Sequence, residues 1–223
     1  MCLILIKDRG TKMKDGFFEI LQKAFFSNHD GAAVGLKRSR NNGVVSNRGL
    51  MTVNSLLEMV ERLQVNTEDT LVVHLRMGTQ GANDEYNTHG FVIGDSEKEN
   101  LLAGSFYDTT LLYHNGWFTD PLSKPQTKDE KDFSDTRLVT KKLFNSKVDS
   151  KTFADYLYDL RKTIATQTEF NSTVAKNFPT INHQKIALLN GNNGLLTMGN
   201  FVTDTNGFMH SHGGYIKQFN RAY

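Results

Sequence analysis

Cys2 is the only cysteine in the chain and follows Met1 directly. Once Met1 is removed, Cys2 carries a free α-amino group beside its thiol. The reference pKa of such an amine is about 7.7 to 8.0 and that of a cysteine thiol is about 8.5, so the amine can accept the thiol proton near neutral pH. Cys2 is therefore a candidate N-terminal nucleophile that needs no separate histidine base. In the simpler alternative, Cys2 is only the small apolar start of a buried strand over residues 2–7.

Four polar clusters are candidates for the rest of a catalytic site. Each lies at the end of a predicted strand or the start of a predicted helix, where functional side chains are commonly presented. Each also has a structural explanation of its own: an Asn-Gly pair is the usual signal of a tight turn, and an aspartate suits a helix N-cap. The clusters are Asn28-His-Asp-Gly31, His74-Leu-Arg-Met-Gly-Thr-Gln-Gly81 with Asn87-Thr-His89, Tyr113-His-Asn-Gly116 and Ser134-Asp-Thr136.

Taken together and in this order, these motifs resemble class II glutamine amidotransferase domains, which are N-terminal-nucleophile (Ntn) hydrolases. The resemblance rests on Cys2 as second residue, the HxRxxTxG-type run with its following NxH, the HNG tripeptide and the SDT segment, and it spans about residues 1 to 145. The ending KIALLNGNNGLLTMGNF resembles the closing hairpin of the short stand-alone members. Two positions depart from the family pattern: Gln80 stands where larger members often have histidine, and Leu3 stands where many have glycine.

The resemblance implies that Cys2 attacks the side-chain amide of glutamine, forms a thioester and releases ammonia, after which water frees glutamate. The α-amine of Cys2 carries the proton between these steps. The attack creates a tetrahedral oxyanion that needs donors fixed in advance. The resemblance assigns this role to the Asn115 side chain and the Gly116 backbone N–H. Losing one such donor typically costs on the order of 10² to 10³ in rate.

Glutamine must also be held by its amino-acid end, which carries one carboxylate and one ammonium. A guanidinium suits the carboxylate because it offers a planar pair of donors, and a carboxylate suits the ammonium. The resemblance assigns these roles to Arg76, helped by Thr79, and to Asp135. In isolation, an exposed charge that ends a strand would be the favoured explanation of Arg76.

The histidines raise the question of a metal site. They include His74, His89, His114, His210 and His212. No carboxylate or thiolate partners with the spacing of metal ligands accompany them, so metal binding is the weaker alternative. We expect no metal and no cofactor, and we interpret His74 and His114 as hydrogen-bonded framework residues near the site.

The composition argues against several other classes of protein. With 26 basic and 24 acidic residues the net charge is +2, and the one dense basic cluster, over residues 37–40, is interpreted as a solvated turn, so we expect no nucleic-acid partner. No run of about 18 apolar residues occurs, and the apolar start is too short for a signal peptide, so we expect no membrane segment. A single cysteine excludes an internal disulfide framework. We therefore expect a cytoplasmic protein.

The apolar periodicity predicts the elements that position these residues. Strands are predicted over residues 2–7, 70–76, 90–93, 109–114, 185–190 and 194–198, helices over 12–26, 52–63, 134–144 and 151–168, and an exposed excursion over 119–132. Strands at both ends with helices between them suggest an α+β fold of layered sheets covered by helices. The resemblance narrows this to a four-layer αββα sandwich of the Ntn-hydrolase type with two mostly antiparallel sheets, formed by residues 1–223 as one domain.

A full amidotransferase pairs such a domain with a synthase domain that uses the ammonia, and no synthase domain fits within 223 residues. We expect a glutamine-hydrolysing enzyme whose ammonia passes to a separate synthase, or which acts alone. The alternatives are a cysteine Ntn amidohydrolase acting on another amide and an inactive binding or regulatory module on the same fold. The pair Arg76 and Asp135 disfavours the first, because a substrate that is not an amino acid does not need that charge pair. A nucleic-acid accessory protein using residues 37–40 is the weakest alternative.

Overall fold

The fold is seen in a computed structural model that describes residues 1–14, 16–94 and 98–212. Within these residues the strands are β1 (Leu3–Lys7), β2 (Ala32–Lys37), β3 (Gly43–Leu50), β4 (Thr70–Leu75), β5 (Phe91–Ile93), β6 (Ala103–Tyr107), β7 (Thr110–Asn115), β8 (Lys147–Val148), β9 (Lys151–Thr152), β10 (Lys185–Asn190), β11 (Gly194–Met198), β12 (Val202–Thr203) and β13 (Met209–His210). The α-helices are α1 (Phe17–Ser27), α2 (Val53–Arg62), α3 (Asp135–Val139), α4 (Phe153–Thr163) and α5 (Gln167–Asn177). Helix α3 continues as a π-helical turn over Thr140–Phe144.

The described strands form two large sheets. The seven-stranded sheet has the order β12-β13-β1-β4-β2-β3-β6, the four-stranded sheet has the order β11-β10-β7-β5, and β8 pairs with β9. Every pair in these sheets is antiparallel. The first strand is central: Leu3 of β1 lies opposite Leu75 of β4, which places the residues just outside both strand ends, Cys2 and Arg76, side by side.

Three groups of buried apolar side chains fill the spaces between these elements. The first lies between α1, α2 and one face of the seven-stranded sheet, to which β1 contributes Leu3 and Leu5. The second contains side chains of both sheets, with Ile4 and Ile6 from β1. The third joins the four-stranded sheet to α4 and α5. Because successive residues of a strand face opposite sides, β1 is buried on both faces, and its sequence is accordingly a continuous apolar run.

The prediction of a mixed fold with antiparallel sheets and helices is confirmed, and the closing hairpin of β10 and β11 lies where the sequence predicts it. Two helix boundaries are wrong. Helix α1 begins later than residue 12, because Gly16 adopts a left-handed φ of 79° that does not continue a helix. The single helix predicted over 151–168 is two helices, because Ile164 is extended and the Thr166 side chain caps a new helix by accepting from the Glu169 N–H.

The strands that the sequence pattern misses include β3 and β6. In β3, Arg48 and other polar residues interrupt the apolar alternation, although Arg48 is buried and donates to the backbone carbonyls of Glu99 and Leu101. In β6 only Phe106 is buried, so this edge strand has almost no apolar signal. Both strands are formed by pairing with their neighbours rather than by their own periodicity.

Candidate active site

Five of the six predicted site residues line one pocket: Cys2, Arg76, Thr79, Gly116 and Asp135. The other residues that line it are Met77, Gly78, Gln80, His89, Ser134 and Thr136. The sixth, Asn115, is buried and does not line this pocket. The interior of the pocket measures about 10 Å³, which is room for roughly one water molecule.

Cys2 lies directly before β1, and its sulfur contacts the backbone of Met77 twice. The Met77 N–H donates to Sγ at 3.4 Å, and Sγ donates to the Met77 carbonyl oxygen at 3.6 Å. Burial raises the pKa of the Cys2 thiol, because a thiolate loses its hydration there. The Met77 N–H, the N-terminal amine and the Arg76 guanidinium oppose this rise, whereas the negative charge of Asp135 adds to it. The reactivity of Cys2 thus depends on the positive groups beside it.

Arg76 follows β4, and the loop 77–83 wraps around its guanidinium. Nη1 donates to Asn83 Oδ1 at 3.2 Å, and Nη2 donates to the Gln80 carbonyl oxygen at 3.1 Å. Gly78 brings its backbone against the same group, since a Cβ there would lie 3.0 Å from Nη2. A guanidinium has five N–H donors, so these two bonds leave donors for a ligand carboxylate.

Asp30 organises this loop, although the sequence assigns it no role. Its Oδ2 accepts from the Gly78 N–H at 2.8 Å, and its Oδ1 accepts from Asn83 Nδ2 at 2.8 Å. Its own backbone N–H donates to the Arg76 carbonyl oxygen at 3.2 Å. The signal in the sequence is the polar cluster at residues 28–31, but only the pairing of β2 with β4 brings that cluster to Arg76.

The remaining loop residues connect the pocket to the segment over residues 119–132. Thr79 is exposed at the rim of the pocket. Gln80 donates from Nε2 to the Ser123 carbonyl oxygen at 2.9 Å. This contact gives Gln80 a positional role, and it needs no titratable group. The segment is mostly exposed, as predicted, but the side chains of Ser123 and Glu130 are buried.

Asp135 is the first residue of α3 and is buried. Its Oδ2 accepts from the Phe118 N–H at 2.9 Å, and its Oδ1 accepts from the Thr136 N–H at 2.8 Å. The helix cap is Ser134, whose hydroxyl oxygen accepts from the Arg137 N–H, so Asp135 is not the N-cap. A carboxylate has about four lone-pair sites, and Asp135 therefore keeps acceptor capacity toward the pocket.

Gly116 follows β7, and the side chain of Gln184 packs directly against it. A Cβ on Gly116 would lie 2.0 Å from Gln184 Oε1, so a larger residue would displace that side chain. Gln184 is also hydrogen-bonded to His114, with Oε1 2.9 Å from Nε2, and it donates to the Trp117 carbonyl oxygen at 3.3 Å. No sequence signal marks Gln184, because a lone glutamine in a loop resembles any solvated residue.

Asn115 is oriented by a residue near the end of the described chain. Its Nδ2 donates to Ser211 Oγ at 2.8 Å, and its Oδ1 is buried without a hydrogen-bond partner in the part of the chain that the structure describes. Ser211 Oγ also accepts from the Ile4 N–H at 2.8 Å. The side chain predicted to stabilise the oxyanion is therefore bonded to Ser211 in this structure.

Three buried histidines stand next to the pocket in a stack. The ring centroids of His74 and His89 are 3.8 Å apart, and those of His89 and His114 are 6.2 Å apart. His74 Nε2 lies 3.0 Å from the His114 carbonyl oxygen, and His114 Nδ1 lies 2.8 Å from Thr136 Oγ. Burial lowers the pKa of His74 to about 3 and lowers the pKa of His89 and of His114 as well, so all three rings are neutral at pH 7.

Cys2, His74 and His89 have ligand atoms that all lie within 4.8 Å of one another. Cysteine and histidine are common zinc ligands. His74 donates from Nε2 to a carbonyl oxygen, and its Nδ1 has no partner among the described residues. However, His89 Nδ1 accepts from the His114 N–H at 3.3 Å, so the proton of the neutral His89 ring is on Nε2, and neither ring nitrogen offers a free lone pair to an ion. Since the His74 and His89 rings are stacked at 20° to each other, their in-plane lone pairs run side by side and do not converge on one ion. These residues in their present arrangement do not fit a tetrahedral metal site.

Two features bear on other classes of partner. In the basic cluster at residues 37–40, Arg38 donates to Asp69 Oδ2 at 2.8 Å, and Lys37 donates to the carbonyl oxygens of Arg38 and Asn41. These two cations are thus engaged within the fold. Across the described residues, no helix combines the length and the apolar character needed to cross a membrane.

No protein-family model matches this chain, and no curated protein matches it. Among solved structures, the chain is similar to that of the allosteric regulatory enzyme of purine biosynthesis, with 12% sequence identity and a TM-score of 0.39. The similarity covers 88% of this chain and 35% of that structure, so the chain spans about a third of its length. An identity and a TM-score this low support no conclusion about this chain.

Proposed function

We propose that this chain is a glutamine-hydrolysing enzyme of the Ntn class, with Cys2 as nucleophile. The observation that carries the proposal is one pocket lined by a buried thiol, a guanidinium that has unused N–H donors and a buried carboxylate. These three groups match the reacting amide, the carboxylate and the ammonium of an amino-acid substrate. The residues are Cys2, Arg76 and Asp135.

The reaction starts with removal of Met1, because the nitrogen of Cys2 is otherwise an amide and not a base. The free amine takes the thiol proton, and Sγ attacks the carbonyl carbon of the glutamine side chain. When the tetrahedral intermediate collapses, the C–N bond breaks, and the amine returns the proton to the leaving ammonia. Water then attacks the thioester, its proton passes to the same amine, and the C–S bond breaks to release glutamate and the thiol.

The substrate is positioned by charge and by backbone donors. Arg76 binds the glutamine carboxylate with Thr79 at the rim, and Asp135 binds the ammonium. Gly116 N–H and Asn115 Nδ2 stabilise the oxyanion, which requires the Asn115 side chain to exchange its bond with Ser211. No cofactor or metal takes part in this scheme.

The proposed architecture is the four-layer αββα sandwich formed by the chain as one domain. The three groups of buried apolar side chains support this architecture, because four layers have three spaces between them. One group lies between the helices α1 and α2 and the seven-stranded sheet, one contains residues of both sheets, and one lies between the four-stranded sheet and the helices α4 and α5. The pocket lies at the end of the strands that face each other across the middle group, where β1 begins and β7 ends. In this architecture the ammonia passes to a separate synthase or is released to solvent.

The first experiment is to measure the intact mass of the purified protein before and after treatment with diazo-oxo-norleucine, a glutamine analogue that alkylates nucleophiles. We expect a chain that lacks Met1 and gains one adduct, with glutamine slowing the labelling. Because Cys2 is the only cysteine, Cys2→Ala is a matched control that leaves no thiol to label. It should also lower glutamine turnover by on the order of 10⁴ or more.

Three results would contradict the proposal. Equal labelling of the Cys2→Ala variant would show that the adduct forms elsewhere. A wild-type chain that loses Met1 yet neither labels nor hydrolyses glutamine would instead support an inactive binding module on this fold. Hydrolysis of other amides without hydrolysis of glutamine would support the alternative amidohydrolase.

A further inference from the structure

The hydrogen bonds around Asn115 leave one buried atom unsatisfied. Ser211 is fully buried, and its hydroxyl oxygen accepts from both the Ile4 N–H and Asn115 Nδ2 at 2.8 Å each. Asn115 Oδ1 is buried and has no hydrogen-bond partner among the described residues. Leaving a buried acceptor unpaired costs about 1 to 3 kcal/mol.

A half-turn of the Asn115 amide pairs this acceptor and leaves the amide donor unpaired in its place until an acceptor binds there. The turn exchanges Oδ1 and Nδ2, which have nearly the same shape. The Ser211 hydroxyl has one proton and two lone pairs, so it can donate to Oδ1 and still accept from the Ile4 N–H. Every polar group of the trio is then paired except Nδ2, which becomes a free donor in the place of the unpartnered atom.

Strand alternation places Asn115 and the candidate nucleophile on strand faces that meet across one apolar group. Along β1, Ile4 and Ile6 belong to the apolar group that contains residues of both sheets, and Cys2 shares their face because strand residues alternate. Along β7, Leu111 and Tyr113 belong to the same group, and Asn115 continues their face. Cys2 and Asn115 are thus at the ends of two strands that face each other.

We propose that Ser211 is a positioning residue that donates its hydroxyl proton to Asn115 Oδ1 and so presents Asn115 Nδ2 to the oxyanion formed at Cys2. This inference rests on the proposed function and adds to it a residue outside every motif of the sequence. Ser211 is far from Asn115 in the sequence but lies beside it in the fold, because β13 pairs with β1. The Ser211 N–H itself donates to the Ile4 carbonyl oxygen at 2.9 Å.

The test is a double-mutant cycle on glutamine hydrolysis by the full chain with Met1 removed. We expect Asn115→Ala to lower kcat by on the order of 10² to 10³. Ser211→Ala should lower kcat by roughly 3- to 10-fold, with KM for glutamine within about twofold of wild type. The double variant should be no slower than Asn115→Ala, because Ser211 acts only through Asn115. Ser211→Thr, which keeps the hydroxyl, should restore kcat.

A second variant keeps the test decisive if Ser211→Ala fails to fold. Asn115→Asp keeps an oxygen toward the Ser211 hydroxyl but removes the donor, and it should lose as much kcat as Asn115→Ala; a wild-type kcat overturns the inference. Multiplicative losses in the double variant, or a raised KM with unchanged kcat in Ser211→Ala, overturn the positioning role alone. A wild-type protein without glutaminase activity overturns the proposed function and, with it, this inference.

Discussion

At the scale of single residues, Arg76 has more hydrogen-bond donors than its surrounding loop uses. Two of them are taken by Asn83 and by the Gln80 carbonyl. Asp135, by contrast, accepts from the backbone N–H groups of Phe118 and Thr136, and both of these residues are buried. Arg76 is therefore the better position for measuring substrate recognition, because its substitution leaves fewer buried partners without a bond.

We predict that Arg76→Lys raises KM for glutamine more than it lowers kcat. Lysine keeps the positive charge but loses the planar pair of donors that suits a carboxylate. A charge-assisted hydrogen bond contributes about 1.5 to 3 kcal/mol, which corresponds to a rise in KM of about 10- to 100-fold. Steady-state kinetics measure this split. Asn83→Ala is the matched control, since it removes one loop contact and leaves the guanidinium; an equal rise in KM in both variants would mean that Arg76 only supports the loop.

At the scale of elements, the loop 77–83 depends on a glycine that meets the start of α3. Gly81 has a left-handed φ of 80°, and a Cβ there would lie 2.6 Å from the Ser134 backbone nitrogen. The next residue, Ala82, donates from its N–H to the Asp132 carbonyl oxygen at 3.0 Å. Because this contact is between backbone atoms, no flexible side chain can move aside to make room. Gly81 therefore fixes the distance between the Arg76 loop and Asp135.

We predict that Gly81→Ala lowers kcat/KM for glutamine by about 10-fold or more and lowers the thermal midpoint. The left-handed conformation alone costs an alanine about 1 kcal/mol or more, and the added clash displaces the loop from α3. Gly10→Ala is the matched control, because Gly10 has a similar φ of 87° with nothing within 4 Å of its Cβ. It should lose some stability and keep its activity. Equal activity in the two variants would refute a role for the Gly81 contact.

At the scale of the whole molecule, the stacked histidines near the pocket make stability depend on pH. Burial lowers the pKa of His74 from 6.5 to about 3 in the folded protein and also lowers the pKa of His89 and His114. The unfolded chain therefore binds more protons than the folded chain at pH values between these limits. Folded stability from these residues is fully present above about pH 6.5 and is lost as the pH falls toward the folded pKa values.

We predict that the free energy of unfolding decreases between about pH 7 and pH 5, with each histidine contributing up to about 1.4 kcal/mol per pH unit. Urea unfolding at several pH values measures this slope. His74→Gln keeps an N–H for the His114 carbonyl and should reduce the slope. His183→Gln, at an exposed position, is the matched control and should leave it unchanged. A wild-type stability that stays constant over this range would contradict neutral burial of the stack.

The sequence by itself determined the elements that have a clear apolar pattern. The apolar run of β1, the periodic face of α2 and the hairpin of β10 and β11 are local patterns, and each lies where the sequence predicts it. It failed at β6 and at the break near Ile164, where partner strands and a capping threonine decide the conformation. Five of the six site residues that the family resemblance names line one pocket, and Asn115 does not.

Only the tertiary structure decided which of these residues touch. Asp30 reaches the Arg76 loop through the pairing of β2 with β4, and Ser211 reaches Asn115 through the pairing of β13 with β1. Neither contact has a signature in the sequence, because the partners are far apart in the chain and their register depends on the packing of whole sheets. The physical reason is the range of the interactions: periodicity reports the local backbone, whereas a site is assembled from the ends of strands that meet only after folding.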